Sequence, residues 1–452
     1  AQVGLRIART DLADRCQRTV LLQMIKGSFF LFLAGLASAA PKPNIVFILA
    51  DDLGRDWISS YGSKHQTPNI DRLAKEGIRY ETAWSMPMGS PSSVTLLTGQ
   101  YPFRHGWTSH HDAPREGREG LSPKKFTTFA RVLREYGYST VIGGKWQINH
   151  LGKQPNSLWE HGFDEHCVWP GAEAGKPETH GKYWKALLQA NGRRGRATYG
   201  PDSINGYLTD FIRRSKDRPF LIYYPMLLAH GPYASTPHNQ DSTPNEKEGL
   251  YAGNVTYLDH LVGKIINTID ELGLRKNTIV FFTGNNGSAV SGTLNGEAYP
   301  KGKGGEGDWG AHVPFIVRAP FLSKGNVVSR DLIDFTDLYP TFLDLAGITP
   351  PENLTLDGKS IVPSLRGSED PYQKRSWVYS QLGEFRMIRD WNHIVDNKGS
   401  FHNLAKDPRQ ERPVSKLDKI APGRRQRLQM IMDRFPEDAP APFTEYPSKN
   451  KE

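Results

Sequence analysis

The stretch NIVFILADD, Asn44–Asp52, decides the fold. Ile45–Ala50 is an unbroken apolar run with no polar alternation. A run of that length predicts a strand covered on both faces, as in a parallel sheet flanked by helices. Two carboxylates, Asp51 and Asp52, follow at once. They fall at the C-terminal edge of that strand, and in open α/β sheets ligands sit along that edge.

The same grammar repeats downstream. TPNIDRLAKEG, Thr67–Gly77, predicts a helix with Thr67 as cap, Pro68 in the first position and Gly77 as stop. IRYETAW then reads as a strand. FTTFARVLREYGY leads into the strand STVIGGKW, and RPFLIYYPMLLAHGP is a strand running into a polar loop. The long amphipathic segment YAGNVTYLDHLVGKIINTIDELGL precedes the strand NTIVFFTGNNG, and VPFIVRAP and DFTDLYPTFLDLAG close the region. Alternating strands and helices of these lengths predict an α/β fold, a doubly wound sheet with helices on both faces. Beyond about Glu369 the pattern changes to short strands and turns, SWVYSQLGEFRMIRDWNHIVDNKGSFHNLAKDP, with a closing helix PGRRQRLQMIMDRF. We therefore expect a principal domain over residues 41–368 and a smaller antiparallel subdomain over 369–452.

The N-terminal residues stand apart from this pattern. MIKGSFFLFLAGLASAA, residues 24–40, combines a basic start, the short apolar run Phe29–Leu36 and a small-residue exit. That is the pattern of a secretory signal peptide, and the run is too short for a stable membrane span. Residues 1–23 carry no pattern and read as an over-extended start. Export to the periplasm or the outside is the expected destination. Cys16 and Cys167 are the only cysteines, so the exported part cannot form an internal disulfide, and Cys167 is expected to be a small buried residue.

The 452 residues, 23% of them charged and 11% aromatic, have a globular composition rather than a disordered one. The net charge of +9 falls to about +6 without residues 1–40, which hold five Lys/Arg and two Asp/Glu. No arginine-rich run or zinc-ligand spacing points to nucleic acid, and a modest basic excess suits an anionic substrate.

Asn285-Asn286 follow the strand TIVFF as Asp51-Asp52 follow the first one. Two carboxylates and two side-chain amides at neighbouring strand ends make an all-oxygen set suited to Ca²⁺, with Mg²⁺ as the alternative. Lys145, in GGKWQ, and His230, in LLAHGPY, also follow strands, and Lys303 lies in the Gly-rich loop PKGKGGEGDWGAHVP. Two lysines and a histidine beside a cation suit a tetrahedral oxyanion. In PMGSPSSVTLL, Pro87–Leu97, Ser90 is the expected cap and Pro91 the first helical residue, so free N–H groups would face an anion.

Taken together, PNIVFILADDLG, TPNIDRLAKEGIRY, SPSSVTLLTGQYPFRHG, GGKW, AHGP, GNNG, KGKGGEGDWGAHVPFIV, DLYPTFLDLAG and FHNLAKDP resemble the sulfatase family, within the alkaline phosphatase superfamily, from Pro43 to about Pro413. The resemblance implies an alkaline-phosphatase-like, mostly parallel large sheet and a smaller C-terminal sheet. It also implies a Cys-x-Pro-x-Arg motif whose cysteine is oxidised to formylglycine, the nucleophile that attacks a sulfate ester. Aligned on Pro91 and Thr98-Gly99, that cysteine falls on Gly89 and the arginine on Ser93, so no formylglycine can form here. Asp51, Asp52, Asn285 and Asn286 fall on the Ca²⁺ ligands, with Asn285 in place of an aspartate. Lys145, His230 and Lys303 fall on sulfate-binding positions. The histidine two residues beyond the first lysine is Gln147, unless an insertion makes His150 its equivalent.

The expected function is that of the sulfuric ester hydrolases, acting on or binding a sulfated carbohydrate or an aryl sulfate. The alternative is a catalytically inactive relative that binds sulfated glycan. A water-using phosphate or phosphonate ester hydrolase is a third reading. Residues 172–200 are expected at the pocket rim.

Overall fold

Asn44–Ala50 (β1) lies near the middle of a ten-stranded sheet. The computed structural model describes residues 42–171, 181–242, 246–414 and 421–440. The expected signal peptide, residues 1–23 before it and residues 172–180 of the expected rim lie outside the described residues. The remaining strands, in chain order, are Ile78–Trp84 (β2), Ser139–Lys145 (β3), Glu165–Trp169 (β4), Leu187–Ala190 (β5), Arg193–Arg196 (β6), Phe220–Pro225 (β7), Thr278–Gly284 (β8), Gly292–Leu294 (β9), Glu297–Tyr299 (β10), His312–Arg318 (β11), Val327–Asp334 (β12), Val378–Leu382 (β13), Phe385–Arg389 (β14), His393–Asp396 (β15) and Phe401–Asn403 (β16). The large sheet runs β12-β2-β11-β8-β1-β7-β3-β4-β5-β6. Only β11 and β5 run against their neighbours. This is the mostly parallel α/β sheet expected from the alternation of elements.

The unbroken apolar run of β1 is explained by cover on both sides. Ile45, Phe47 and Leu49 pack into one core with the helices Gly89–Thr98, Phe129–Glu135 and Leu338–Leu345. Val46, Ile48 and Ala50 pack into the other with the helices Pro68–Glu76, Gly200–Ser215 and Lys247–Glu271. The Pro68–Glu76 helix begins as expected, but Thr67 does not cap it. The Thr67 hydroxyl bonds Ser59 instead, and Asp259 accepts from the backbone N–H groups of Asn69 and Ile70 at 3.0 and 2.8 Å. A carboxylate from another helix thus does the work that local sequence assigns to Thr67.

Strands β13–β16 form a separate four-stranded antiparallel sheet, followed by the helix Ala421–Met432. This smaller sheet backs the chain just before the Gly89–Thr98 helix. Ser380 Oγ donates to the Ser85 carbonyl at 2.8 Å, and Tyr379, Ile388 and Val395 share a core with Met86. Its first strand is tethered by Arg375, a buried guanidinium. Arg375 Nε donates to Asp337 Oδ1 at 2.6 Å, and Nη2 reaches Thr336 Oγ1 at 2.8 Å. Asp334 accepts from Tyr101 OH at 2.9 Å and from the backbone N–H of Tyr379 at 3.1 Å.

Removing one member of a buried ion pair leaves the other charge without compensation. Arg375→Met should therefore lower unfolding stability by about 3–5 kcal/mol, read as a lower urea midpoint. An unchanged midpoint would show that the tether does not hold the small sheet in place.

Candidate active site

Register places the first four candidate residues. β1 and β8 are parallel, with Ala50 opposite Gly284, so Asp51-Asp52 and Asn285-Asn286 leave the sheet side by side. β7 flanks β1 on its other side and leads to His230. β3 ends in Lys145 beside β7. Gly144 has φ of +136°, and a Cβ there would come within 1.8 Å of the Pro225 carbonyl oxygen, so only glycine lets β3 turn Lys145 towards the site. Asp52 itself sits at φ of +59°, an uncommon conformation for a residue with a side chain. Its N–H donates to Asn285 Oδ1 at 2.9 Å, and its carbonyl accepts from Tyr251 OH at 2.7 Å.

Asp51 and Asp52 are buried, at 2% and 1% exposure. Lys145 Nζ lies 2.7 Å from Asp51 Oδ2, and Lys303 Nζ lies 2.7 Å from Asp52 Oδ2. His230 Nε2 is 3.8 Å from Asp52 Oδ2. Burial opposes ionisation of Asp51, but Lys145, His230, Lys182 and Lys303 outweigh it and hold its carboxyl well below the usual range. Burial and the charge of Asp51 raise Asp52, against the pull of Lys303. Burial, then Lys145, pushes His230 down to about 2, so its imidazole is neutral at physiological pH. Asp51, Asp52 and His230 each offer an atom within 4.8 Å of the others, a grouping that can hold a metal ion.

Lys182 was not among the expected site residues. Its Nζ donates to His230 Nδ1 at 2.6 Å and to the Gly231 carbonyl at 2.6 Å. Burial, then the charge of Lys145, lowers it to about 7. A lone lysine after a loop carries no motif, so only the fold reveals it. His110 is a second addition. Its Nδ1 lies 3.1 Å from Ser90 Oγ, and burial followed by Lys145 and Lys303 lowers it to about 4.

Gly89 is the first residue of its helix, with Met88 in the capping position. Ser90 is therefore one position inside the helix rather than its cap, and Pro91 is the third helical residue rather than the first. The Ser90 hydroxyl is turned to His110 and accepts from the backbone N–H of His111 at 3.0 Å. Ser93 Oγ turns back onto its own helix and donates to the Gly89 carbonyl at 2.9 Å. A cavity of about 30 Å³ lies beside Gly89, Ser93, Lys145, Gln147, Tyr223 and Asn285. It has room for water but not for a sugar. Gln147 lines this cavity and donates to Asp112, whereas His150 is a turn residue whose Nδ1 accepts from the Gly152 N–H at 3.1 Å.

A mostly parallel sheet that presents buried carboxylates, lysines and a helix start at one edge has the layout in which α/β proteins hold ligands. Residues 43–348 match the sequence model of the family described as Sulfatase. N-acetylgalactosamine-6-sulfatase of Canis lupus familiaris is 34% identical over 366 residues, which cover 74% of this chain and 68% of that protein. Steryl-sulfatase of Mus musculus is 29% identical over 429 residues, covering 73% of this chain and 66% of that protein. The crystal structure of Ps i-CgsB superposes with a TM-score of 0.74 at 25% identity, covering 89% of this chain and 95% of that one. The chain belongs to the sulfatase family.

The loops that carry Asp52 and Asn286 are tied together by a third buried carboxyl, Asp56. Ser288 Oγ donates to Asp56 Oδ1 at 2.7 Å, and also accepts from the Gly54 N–H at 2.8 Å. Asp56 Oδ2 has no partner. Burial pushes this carboxyl from 3.8 to about 7. The unfolded chain releases the proton near 3.8, while the folded chain keeps it until about 7. Ionisation therefore favours unfolding, and the stability contributed by Asp56 falls as pH rises between those values. Asp56→Asn should raise the melting temperature by about 2–4 °C at about pH 8 and leave it unchanged at about pH 4. Equal shifts at both pH values would show that Asp56 does not titrate in this window.

Proposed function

We propose that this sulfatase-family chain recognises the sulfate group of a sulfated carbohydrate or aryl sulfate at a site of the sulfuric ester hydrolase type, with the covalent route closed. One observation carries this reading. Lys145, Lys182, Lys303 and His230 gather around the Asp51-Asp52 pair, while the residue at the helix start beside them, Gly89, has no side chain. The lysines supply positive charge for an oxyanion, and neutral His230 supplies one ring nitrogen that accepts from Lys182 and another that faces the site. Nothing at Gly89 can attack sulfur. A divalent cation would draw its oxygens from Asp51, Asp52 and Asn286, but only by displacing the lysine and amide donors that already meet both carboxylates.

The carbohydrate class is supported by the relatives. One is named N-acetylgalactosamine-6-sulfatase, and Ps i-CgsB was also solved in complex with k-i-k-neocarrahexaose. The principal domain is taken to run to about residue 368, with the substrate rim formed by residues 172–200. Export, read from residues 24–40, would bring the chain to sulfated polymers outside the cell. Among the described residues, no helix is long and apolar enough to cross a membrane.

Loss of one member of a covalent catalytic set costs on the order of 10⁴–10⁶ in rate. Purified protein should therefore show no turnover of 4-nitrocatechol sulfate beyond the weak residue that binding alone supports. It should still bind a sulfated oligosaccharide at least about 10-fold more tightly than its unsulfated counterpart, and Lys145→Ala should weaken that binding by about 10–100-fold. Ready turnover that Lys145→Ala abolishes would show a working nucleophile and overturn the closed route. Equal affinity for sulfated and unsulfated sugars would overturn sulfate recognition.

A further inference from the structure

The four carboxylate oxygens of Asp51 and Asp52 are each met by a nitrogen donor of this chain. Asn285 Nδ2 donates to Asp51 Oδ1 at 2.7 Å, and Lys145 Nζ to Asp51 Oδ2 at 2.7 Å. Asn286 Nδ2 donates to Asp52 Oδ1 at 3.0 Å, and Lys303 Nζ to Asp52 Oδ2 at 2.7 Å. Two negative charges face two ammonium groups and two amides, so the cluster is balanced and hydrogen-bonded without any added ion.

The orientation of Asn285 is set twice. Its oxygen accepts from the backbone N–H of Asp52 at 2.9 Å, and a backbone N–H can only donate. Its nitrogen faces a carboxylate, which can only accept while ionised. Rotating the amide by half a turn would set N–H against N–H and oxygen against carboxylate. Asn285 therefore points a donor, not a ligand oxygen, at the carboxylate pair. In this orientation Asn285 does not offer the ligand oxygen that the sequence resemblance implies. The one unpartnered oxygen among the four residues is Asn286 Oδ1, too little by itself to hold a hard divalent ion.

Gly89 belongs to the same arrangement. A Cβ there would lie 2.7 Å from Asn285 Nδ2 and 3.4 Å from Asn286 Oδ1. The missing side chain is what leaves room for the amide to lie against Asp51.

We propose that Asn285 makes this centre cation-independent: its amide N–H, together with Lys145 and Lys303, stabilises Asp51 and Asp52 in place of Ca²⁺, and Gly89 provides the space for that amide. The chain, dialysed against chelator and then against metal-free buffer, would be titrated with Ca²⁺ by calorimetry, with melting temperatures recorded at each concentration. We expect no saturable uptake below about 1 mM Ca²⁺ and no change in melting temperature over that range. Asn285→Asp adds a charged oxygen and removes the donor, so it should take up Ca²⁺ roughly 100-fold more tightly and melt higher with Ca²⁺ than without. Gly89→Ala should lower the melting temperature, and by less in the Asn285→Asp background held in Ca²⁺. One equivalent of Ca²⁺ bound by the wild type at micromolar concentration, and lost in Asp51→Asn, would overturn the proposal. If Asn285→Asp does not fold, the wild-type titration decides alone. The titration reads the ion and not the sugar, so failure of sulfated-glycan binding would sink the proposed function and leave this result standing.

Discussion

Two aspartates buried side by side at the end of β1 are the constraint on which this structure turns. Adjacent carboxylates at 2% and 1% exposure repel one another and have lost their water. Four donors answer them, two from the end of β8, one from the end of β3 and one from a loop. Asn285 and Asn286 arrive because β8 pairs in step with β1. Lys145 arrives because β3 lies one strand beyond β7, with Gly144 allowing the close approach. Lys303 arrives on the loop between β10 and β11. The order of the sheet is thus the order in which charge is compensated. Loss of one strand's register would expose a buried charge rather than a mere gap.

Much of this was legible in the chain before any coordinates. The apolar run of β1 announced a strand covered twice, and polar pairs immediately after apolar strands announced one shared edge. Parallel pairing makes that inference work, because strand ends then collect on the same side. What could not be read depends on contacts distant in sequence. Thr67 looks like a cap, but Asp259 takes its place from another helix. Ser90 and Pro91 look like a cap and a first helical residue, but the helix starts two residues earlier, at Gly89. Lys182 has no motif around it and meets His230 only because the chain folds back over β7. The direction of the Asn285 amide was equally invisible, since it is set by a backbone N–H 233 residues away in sequence.

The residues at positions 89, 93 and 285, where the sequence resemblance implies departures from the family pattern, fit one another physically. Glycine at 89 leaves space, and the Asn285 amide fills part of it. Serine at 93 turns back onto its own helix and leaves the water-sized cavity beside that amide. An arginine at 93 would have brought a positive charge into this corner, and an aspartate at 285 a negative one. Both are absent, so the remaining charges are two aspartates against the lysines. A neutral amide is also the better neighbour for Asp51, since a third carboxylate would add repulsion that only a cation could offset.

This balance sets a limit on how the site can hold an anion. Under the proposed function Lys145 and Lys303 would meet the sulfate oxyanion, and both are already bonded to carboxylates at 2.7 Å. An incoming sulfate must share those ammonium groups rather than find them free. An ammonium carries three donors, so sharing is geometrically open: one N–H can stay on the carboxylate while another turns to the ligand. Lys182 is held by the His230 imidazole and a carbonyl rather than by a carboxylate, but burial lowers it to about 7, so its charge is only partly present at neutral pH. A bound anion would therefore draw its charge from Lys145 and Lys303 by sharing, and Lys182 would add to it as pH falls through about 7.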